Sequence, residues 1–485
     1  MRVLHIASEV APYSKTGGLA DVLGALPRAL AALGHEVTVV TPRYRSIDPE
    51  RFGLARRLRG LAAPLGSDTV EVGIYEGQAP STPKVRVYLV DHAPSFDRDG
   101  LYGDERGDYA DNPRRFALLG SAALALSAEF SSWPDLVHAH DWQGGPAILF
   151  ARRRWGNLPA PKTVFTLHNL AFQGLFPPSV IDELGLPRDG YTPEGYEFWG
   201  QVSYLKAGLA LADRLTTVSP TYAREIQTEE QGLGMDGLLR ARSSVLHGIL
   251  NGVDYDAWNP ERDPHLAASY SASSLAGKRA CKSALQRELG LPVRGDVPLC
   301  GSVSRLTEQK GFELVLAALP ALLESSELQY VVLGSGDGKL EAALQALAAR
   351  HPKRLAVRIG YDEALAHRIE AGCDLYVMPS RFEPCGLNQL YSLRYGTPPI
   401  VRATGGLDDS IVDFDPGSRS GTGFKLHRFA PEALLEAWRR ALTAYAAPEL
   451  FTALVKRCMA QDFSWTRSAH AYARLYKELA ATTRA

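Results

Sequence analysis

Short apolar runs rich in branched residues recur along the chain, and the longer stretches between them carry apolar residues at helical spacing. In the first half the runs are 3–7, 37–40, 85–90, 136–139, 164–167 and 215–218, with a periodic helix at 19–33. That alternation predicts a parallel sheet wrapped by helices. The pattern breaks over 251–274, where Asn-Pro, Asp-Pro and small polar residues gather, and it resumes at 299–303, 329–333, 355–359, 375–378 and 399–402. Helical stretches at 311–323 and 339–350 lie within this second series. The expectation is α/β: two Rossmann-like, doubly wound domains facing across a cleft, at 1–250 and 251–460. A terminal segment, 461–485, carries a helix at 468–480 free to pack back on the first domain. Such sheets bind ligands beyond the C-terminal ends of their strands, so the loops there are where chemistry is sought.

Composition narrows the partner. The 485 residues include 53 basic and 54 acidic side chains, a net charge of -1. With no long single-sign run, neither a nucleic acid nor a membrane surface is expected as the main partner. The 5 cysteines are odd in number and never spaced Cys-x-x-Cys, which argues against a disulfide framework and a thiolate zinc site and predicts a cytoplasmic protein. The chain runs directly into a strand pattern, without a signal-peptide core or transit-like segment, and no apolar run reaches membrane-spanning length.

Five loops carry candidate chemistry. Lys15-Thr16-Gly17-Gly18 precedes the first helix, where paired glycines, helix-terminal amides and a mobile cation outline a phosphate cradle; an ordinary glycine turn is the alternative. A second Thr-Gly-Gly-Leu, from Thr404, has no such lysine and reads as a tight strand-to-helix turn. Arg305 and Lys310 follow the first strand of the second series and suit a diphosphate, unless they are a solvated surface pair. Glu383, between a proline and a Cys-Gly turn, is held stiffly with no lysine beside it in the sequence, and it reads as functional rather than as a cap. His138 and His140 share one face of a strand, yet no third ligand motif accompanies them, so they are expected to hydrogen-bond rather than to hold a metal. A dinucleotide-dependent oxidoreductase is disfavoured because no full Gly-x-Gly-x-x-Gly follows the first strand.

Taken together, these segments resemble the bacterial and plant glycogen/starch synthases, retaining glucosyltransferases of the two-domain GT-B fold. The resemblance spans nearly the whole chain: KTGGLADV at 15–22, DNPRRFALL at 111–119, HAHDW at 138–142, FTLHNLAFQG at 165–174, LKAGL at 205–209, VSPTYAREI at 218–226, LNGVD at 250–254, VSRLTEQKG at 303–311 and PSRFEPCGLNQLYSLRYGTPPIVRATGGL at 379–407. It implies ADP-glucose rather than UDP-glucose as donor, glycogen or another α-1,4-glucan as acceptor, and neither metal nor cofactor. It implies that Arg305 and Lys310 hold the donor phosphates, with Lys15, Gly17 and Gly18 completing the cradle. Tyr361 would stack on the adenine. His168, Asn251 and Glu383 would bind glucosyl hydroxyls, Asp141 would lie near the anomeric carbon, and Cys385, Gly386 and Leu387 would line the donor. Asp21, Trp142 and Asn169 would border the acceptor. One position departs from many GT-B relatives, which carry a second glutamate eight residues after the first; here that residue is Tyr391, so ribose contacts are not transferred. Oligomeric state is not legible.

Overall fold

The computed structural model describes residues 1–78, 85–153, 155 and 157–481. The chain divides into two units, Met1–Gly252 with Trp465–Ala485, and Val253–Ser464. Residues 482–485 of the expected terminal segment lie outside the described residues.

The first unit is built on a nine-stranded sheet. Its strands are β1 (Arg2–Ile6), β2 (Glu36–Pro42), β3 (Ala55–Leu65), β4 (Asp68–Gln78), β5 (Val85–Asp91), β6 (Leu136–His140), β7 (Lys162–Leu167), β8 (Arg214–Thr217) and β9 (Leu246–Gly248), in the order β9-β8-β7-β6-β1-β2-β5-β4-β3. Pairing is parallel from β9 to β5 and antiparallel through β4 and β3. The strand order reverses between β1 and β6, the position where doubly wound sheets open a crevice at their C-terminal ends. Register sets His5 beside His138 and His140 beside Thr166. The β3–β4 hairpin is absent from the sequence expectation. As the sheet edge it buries one face only, Leu61, Ala63 and Leu65 alternating with exposed positions, so it never makes a continuous apolar run. The three-residue β9 was too short to register.

Helix Trp465–Ala481 shows how the end of the chain joins this unit. Trp465, Ala469, Tyr472, Leu475, Tyr476 and Leu479 recur at three- and four-residue spacing, and all enter the first core. The helix packs against Gly18–Ala32.

The second unit has a six-stranded parallel sheet of β10 (Leu299–Val303), β11 (Gln329–Gly334), β12 (Leu355–Ile359), β13 (Leu375–Met378), β14 (Pro399–Arg402) and β15 (Phe424–Leu426), ordered β12-β11-β10-β13-β14-β15. Its order reverses between β10 and β13. Tyr330, Val331 and Val332 of the interior strand β11 are fully buried, each apolar side chain contributing about 1.5–3 kcal/mol of transfer free energy. Among the described residues no helix is long and apolar enough to cross a membrane.

Candidate active site

In the first unit the loop after β1 is organised by Glu9. This buried carboxylate accepts the Thr16 hydroxyl at 2.6 Å, the Thr16 amide, the Gly17 amide at 3.4 Å and the Tyr102 hydroxyl at 2.5 Å. The loop expected as an open anion cradle therefore already carries an anion from the protein itself. A helix N-terminus attracts the nearest negative group, and Glu9 stands seven residues before Thr16, outside the motif. Lys15 pairs with Asp21 at 2.8 Å, and Gly17 and Gly18 remain exposed.

The ends of β6 and β7 are strapped together by Asp141, the first residue of helix Asp141–Ala151. Its backbone is left-handed, φ 51°, at a cost of about 1–2 kcal/mol for a side-chain-bearing residue. Its carboxylate accepts the His168 amide at 2.7 Å. Burial pushes the carboxyl up to about 7, against the His168 and Asn169 N–H groups that favour its charged form. Asn169 caps its own turn, its Oδ1 accepting the Ala171 amide at 3.0 Å. Trp142 sits largely inside an aromatic cluster with Phe116, Phe176 and Tyr102. Asn251 is buried, and its Oδ1 has no hydrogen-bond partner among the described residues.

Behind His168 runs a line of histidines. His5 Nδ1 lies 3.0 Å from His140 Nε2, and His140 Nδ1 lies 3.1 Å from His168 Nε2. Burial holds His5 and His168 down at about 3 and His140 well below its ordinary value, so all three are neutral near pH 7. His5, which the motif reading missed, brings a third imidazole to His138 and His140, each offering a nitrogen within 4.8 Å of the others. His138, however, is bonded at both nitrogens, to the Tyr476 hydroxyl at 2.7 Å and to Thr166 Oγ1 at 2.5 Å. Its ring stacks on His140 with centroids 4.3 Å apart. Stacked rings do not aim lone pairs at one centre, as metal ligation requires.

In the second unit, β10 and β13 are adjacent and parallel, so the loops that follow them are neighbours despite their separation in sequence. Gly311 makes the close approach possible: at φ 71°, a Cβ there would lie 2.2 Å from the Pro379 carbonyl oxygen. The Arg381 amide donates to the Gln309 carbonyl at 2.8 Å. Lys310 Nζ thereby reaches Glu383 Oε2 at 2.6 Å, with Ser380 Oγ donating to the same oxygen at 2.9 Å. The absence of a lysine beside Glu383 holds along the sequence and fails in space. Both partners are largely buried, 14% and 7% exposed at the side chain. Arg305, on the same loop, is exposed and makes no ion pair among the described residues.

Other residues of these loops are placed as follows. Gly386 has φ 71°, and Gln389 Nε2 donates to the Cys385 carbonyl at 2.9 Å. Cys385 is buried. Leu387 leads into helix Asn388–Arg394 and packs with Val253, Leu390 and Tyr391. The second Thr-Gly-Gly turn lies directly against Glu383: a Cβ on Gly405 would fall 2.0 Å from the Glu383 carbonyl oxygen, and the Gly406 amide donates to that oxygen at 3.1 Å. Tyr361 is 73% exposed. Tyr391 stacks on Trp258 at 3.8 Å between centroids, and Trp258 stacks in turn on His367, so that position serves packing.

Comparison with known proteins identifies the family. Residues 2–241 match the family described as starch synthase catalytic domain, and residues 290–453 match glycosyl transferases group 1. The chain is 55% identical over 484 residues to a glycogen synthase of Anaeromyxobacter dehalogenans, covering 99% of this chain and 100% of that one. It is 50% identical to the glycogen synthase of Myxococcus xanthus, covering 99% and 100%. The catalytic domain of starch synthase IV from Arabidopsis thaliana, solved bound to ADP and acarbose, superposes with a TM-score of 0.91 at 34% identity over 99% of each chain. Sucrose-phosphate synthase from Thermosynechococcus elongatus, at TM-score 0.61 and 18% identity over 99% and 100%, shares the fold. With two parallel α/β units, the matching loops and full-length likeness to these enzymes, the chain belongs to the glycogen/starch synthase family of glycosyltransferases.

Proposed function

We propose that this protein transfers glucose from ADP-glucose to the nonreducing end of an α-1,4-glucan, with retention of anomeric configuration, in cytoplasmic glycogen synthesis. The observation that carries the reading is the Lys310–Glu383 pair at 2.6 Å, set at the C-terminal strand ends with Arg305 exposed on the same loop. Breaking a sugar–phosphate bond builds negative charge on the departing diphosphate, and fixed cations there lower the barrier. Arg305 offers a planar fork and Lys310 a point charge. Glu383, oriented by Lys310 and Ser380, accepts hydrogen bonds from glucosyl hydroxyls. The unpartnered Asn251 Oδ1 is satisfied by a sugar hydroxyl in the same way. The exposed Tyr361 ring offers a stacking face to the base. Lys15 and Gly18 add to the phosphate contacts, the Gly17 amide being taken by Glu9; Cys385, Gly386 and Leu387 line the donor, and Asp21, Trp142 and Asn169 border the glucan.

In this mechanism the acceptor hydroxyl attacks the anomeric carbon on the face the diphosphate leaves, and its proton passes to the departing phosphate oxygen. A glycosidase would set a second carboxylate opposite Glu383 at a fixed spacing; the partner of Glu383 is a lysine. Incubation with glucose-labelled ADP-glucose and glycogen is expected to place label in the polymer, released as maltose by an exo-acting α-1,4-glucan hydrolase. A higher kcat/KM is expected with ADP-glucose than with UDP-glucose. Polymer free of label at every donor concentration would sink the proposal.

A further inference from the structure

We propose that His140, backed by His5, is a positioning residue that holds His168 as the Nδ1–H tautomer and so presents to the sugar a hydrogen-bond donor at Nδ1. The inference rests on the reading of His168 as a glucosyl-hydroxyl ligand. A neutral imidazole carries one N–H, and both His140 nitrogens are engaged, Nε2 with His5 Nδ1 at 3.0 Å and Nδ1 with His168 Nε2 at 3.1 Å. His140 must therefore donate through one nitrogen and accept through the other, which leaves two arrangements for the line.

In one arrangement His168 donates from Nε2 to His140, His140 donates from Nε2 to His5, and the His5 proton is forced onto Nε2. That nitrogen is buried and has no hydrogen-bond partner, so a donor would be stranded in the core. In the other arrangement His5 donates from Nδ1, His140 donates from Nδ1, and His168 accepts at Nε2. The His5 Nε2 is then a bare lone pair. Orphaned buried N–H groups are rarer in proteins than under-satisfied acceptors, so the second arrangement prevails and the His168 proton sits on Nδ1.

The surroundings leave the line no other outlet. His138, stacked on His140 and tilted at 39° against His5, is occupied by Tyr476 and Thr166. Asp141 takes the backbone amide of His168 rather than its ring. A donor fixed in this way matches a sugar hydroxyl that accepts from His168 while donating its own proton elsewhere, for instance to a carboxylate. A ring free to change tautomer would spend part of its time presenting a lone pair to the same hydroxyl.

The test reads the tautomer directly, from imidazole nitrogen and Cδ2 chemical shifts of protein labelled at histidine, with His168 assigned by its loss in His168→Asn. The expected result is Nδ1–H on His168 in the unsubstituted protein. In His140→Leu the Nε2–H form, which free imidazoles favour, should appear, and kcat should fall about tenfold while donor KM stays within about threefold. His140→Gln supplies an amide donor and a carbonyl acceptor at one position, and it is expected to restore both the tautomer and most of kcat. An Nε2–H His168 in the unsubstituted protein overturns the proposal, as does an unchanged tautomer in folded His140→Leu. The first of these measurements stands even if His140→Leu fails to fold. Because the tautomer is read without turnover, a protein that transfers no glucose would refute the proposed activity and leave this result intact.

Discussion

Glu383 is a buried carboxylate whose charge is compensated, among the described residues, by Lys310 at 2.6 Å. Removing one member of such a pair leaves an uncompensated charge in a poorly solvated place, a loss of about 3–5 kcal/mol when burial is deep. Lys310→Ala is therefore expected to lower the urea midpoint more than Lys310→Ala combined with Glu383→Gln, where no charge is stranded; equal losses would contradict the pairing. Glu383→Gln alone keeps the shape and is expected to cut kcat by about 100-fold or more with a smaller effect on donor KM. A protein that binds glucan without catalysis would have no turnover to lose. Glu383, Lys310 and His168 are singled out by residue type in the sequence, whereas Glu9 and His5 are not. Glu9 lies outside the glycine motif it organises, and His5 inside the first strand reads as one polar residue in an apolar run.

Among the elements, the two Thr-Gly-Gly turns have different surroundings. Gly17 has an extended backbone, φ -161°, and a Cβ there would meet nothing within 4 Å. Gly405 is left-handed, φ 44°, with the Glu383 carbonyl oxygen 2.0 Å from where a Cβ would stand. Gly17→Ala is expected to change stability by less than about 0.5 kcal/mol. Gly405→Ala combines overpacking with a disfavoured backbone and is expected to cost about 2 kcal/mol or more, with kcat falling as the Glu383 main chain shifts. Paired thermal melts check both, and similar Tm values for the two variants would refute the assignment. The repeated Thr-Gly-Gly is visible in the sequence, as is the lysine that only one copy carries. That the second copy is the backing of the glutamate loop is not visible, because it depends on β13 and β14 lying side by side in the sheet.

For the whole molecule, buried titratable groups set how stability varies with pH. His5 and His168, held at about 3 against an ordinary 6.5, bind protons in the unfolded chain before they do in the native one, so their contribution rises from pH 3 to pH 6.5. His138 and His140 are lowered by burial in the same sense. Asp141 and Glu370 act in reverse. Burial raises them to about 7 and about 8 from 3.8 and 4.5, the native state keeps its protons longer, and stability falls as pH climbs through those windows. These histidines outweigh the two carboxyls below pH 6.5, the carboxyls prevail between pH 6.5 and 8, and Lys278, lowered by burial to about 8 from 10.5, opposes them only at higher pH. Stability is expected to peak near pH 6.5 and decline toward pH 8, with Glu370→Gln removing roughly 1–2 kcal/mol of that decline. Urea midpoints between pH 4 and 9 check this, and a midpoint still rising at pH 8 would refute it.

The sequence by itself determined the class of fold, since branched runs alternating with helical periods have few other solutions, and it determined the family, through loops whose residue types suit a nucleotide sugar. It also placed the break between the two series of strands within 251–274, against an observed division after Gly252. Strands β3, β4, β9 and β15 escaped because one apolar face or three residues make no run. Only the tertiary structure decided which charges meet. Parallel neighbours β10 and β13 bring Lys310 onto Glu383 across 73 residues, and register in the first sheet sets His5 beside His138 and His140 beside Thr166. Pairings of this kind follow from strand order and register, which local propensity does not encode.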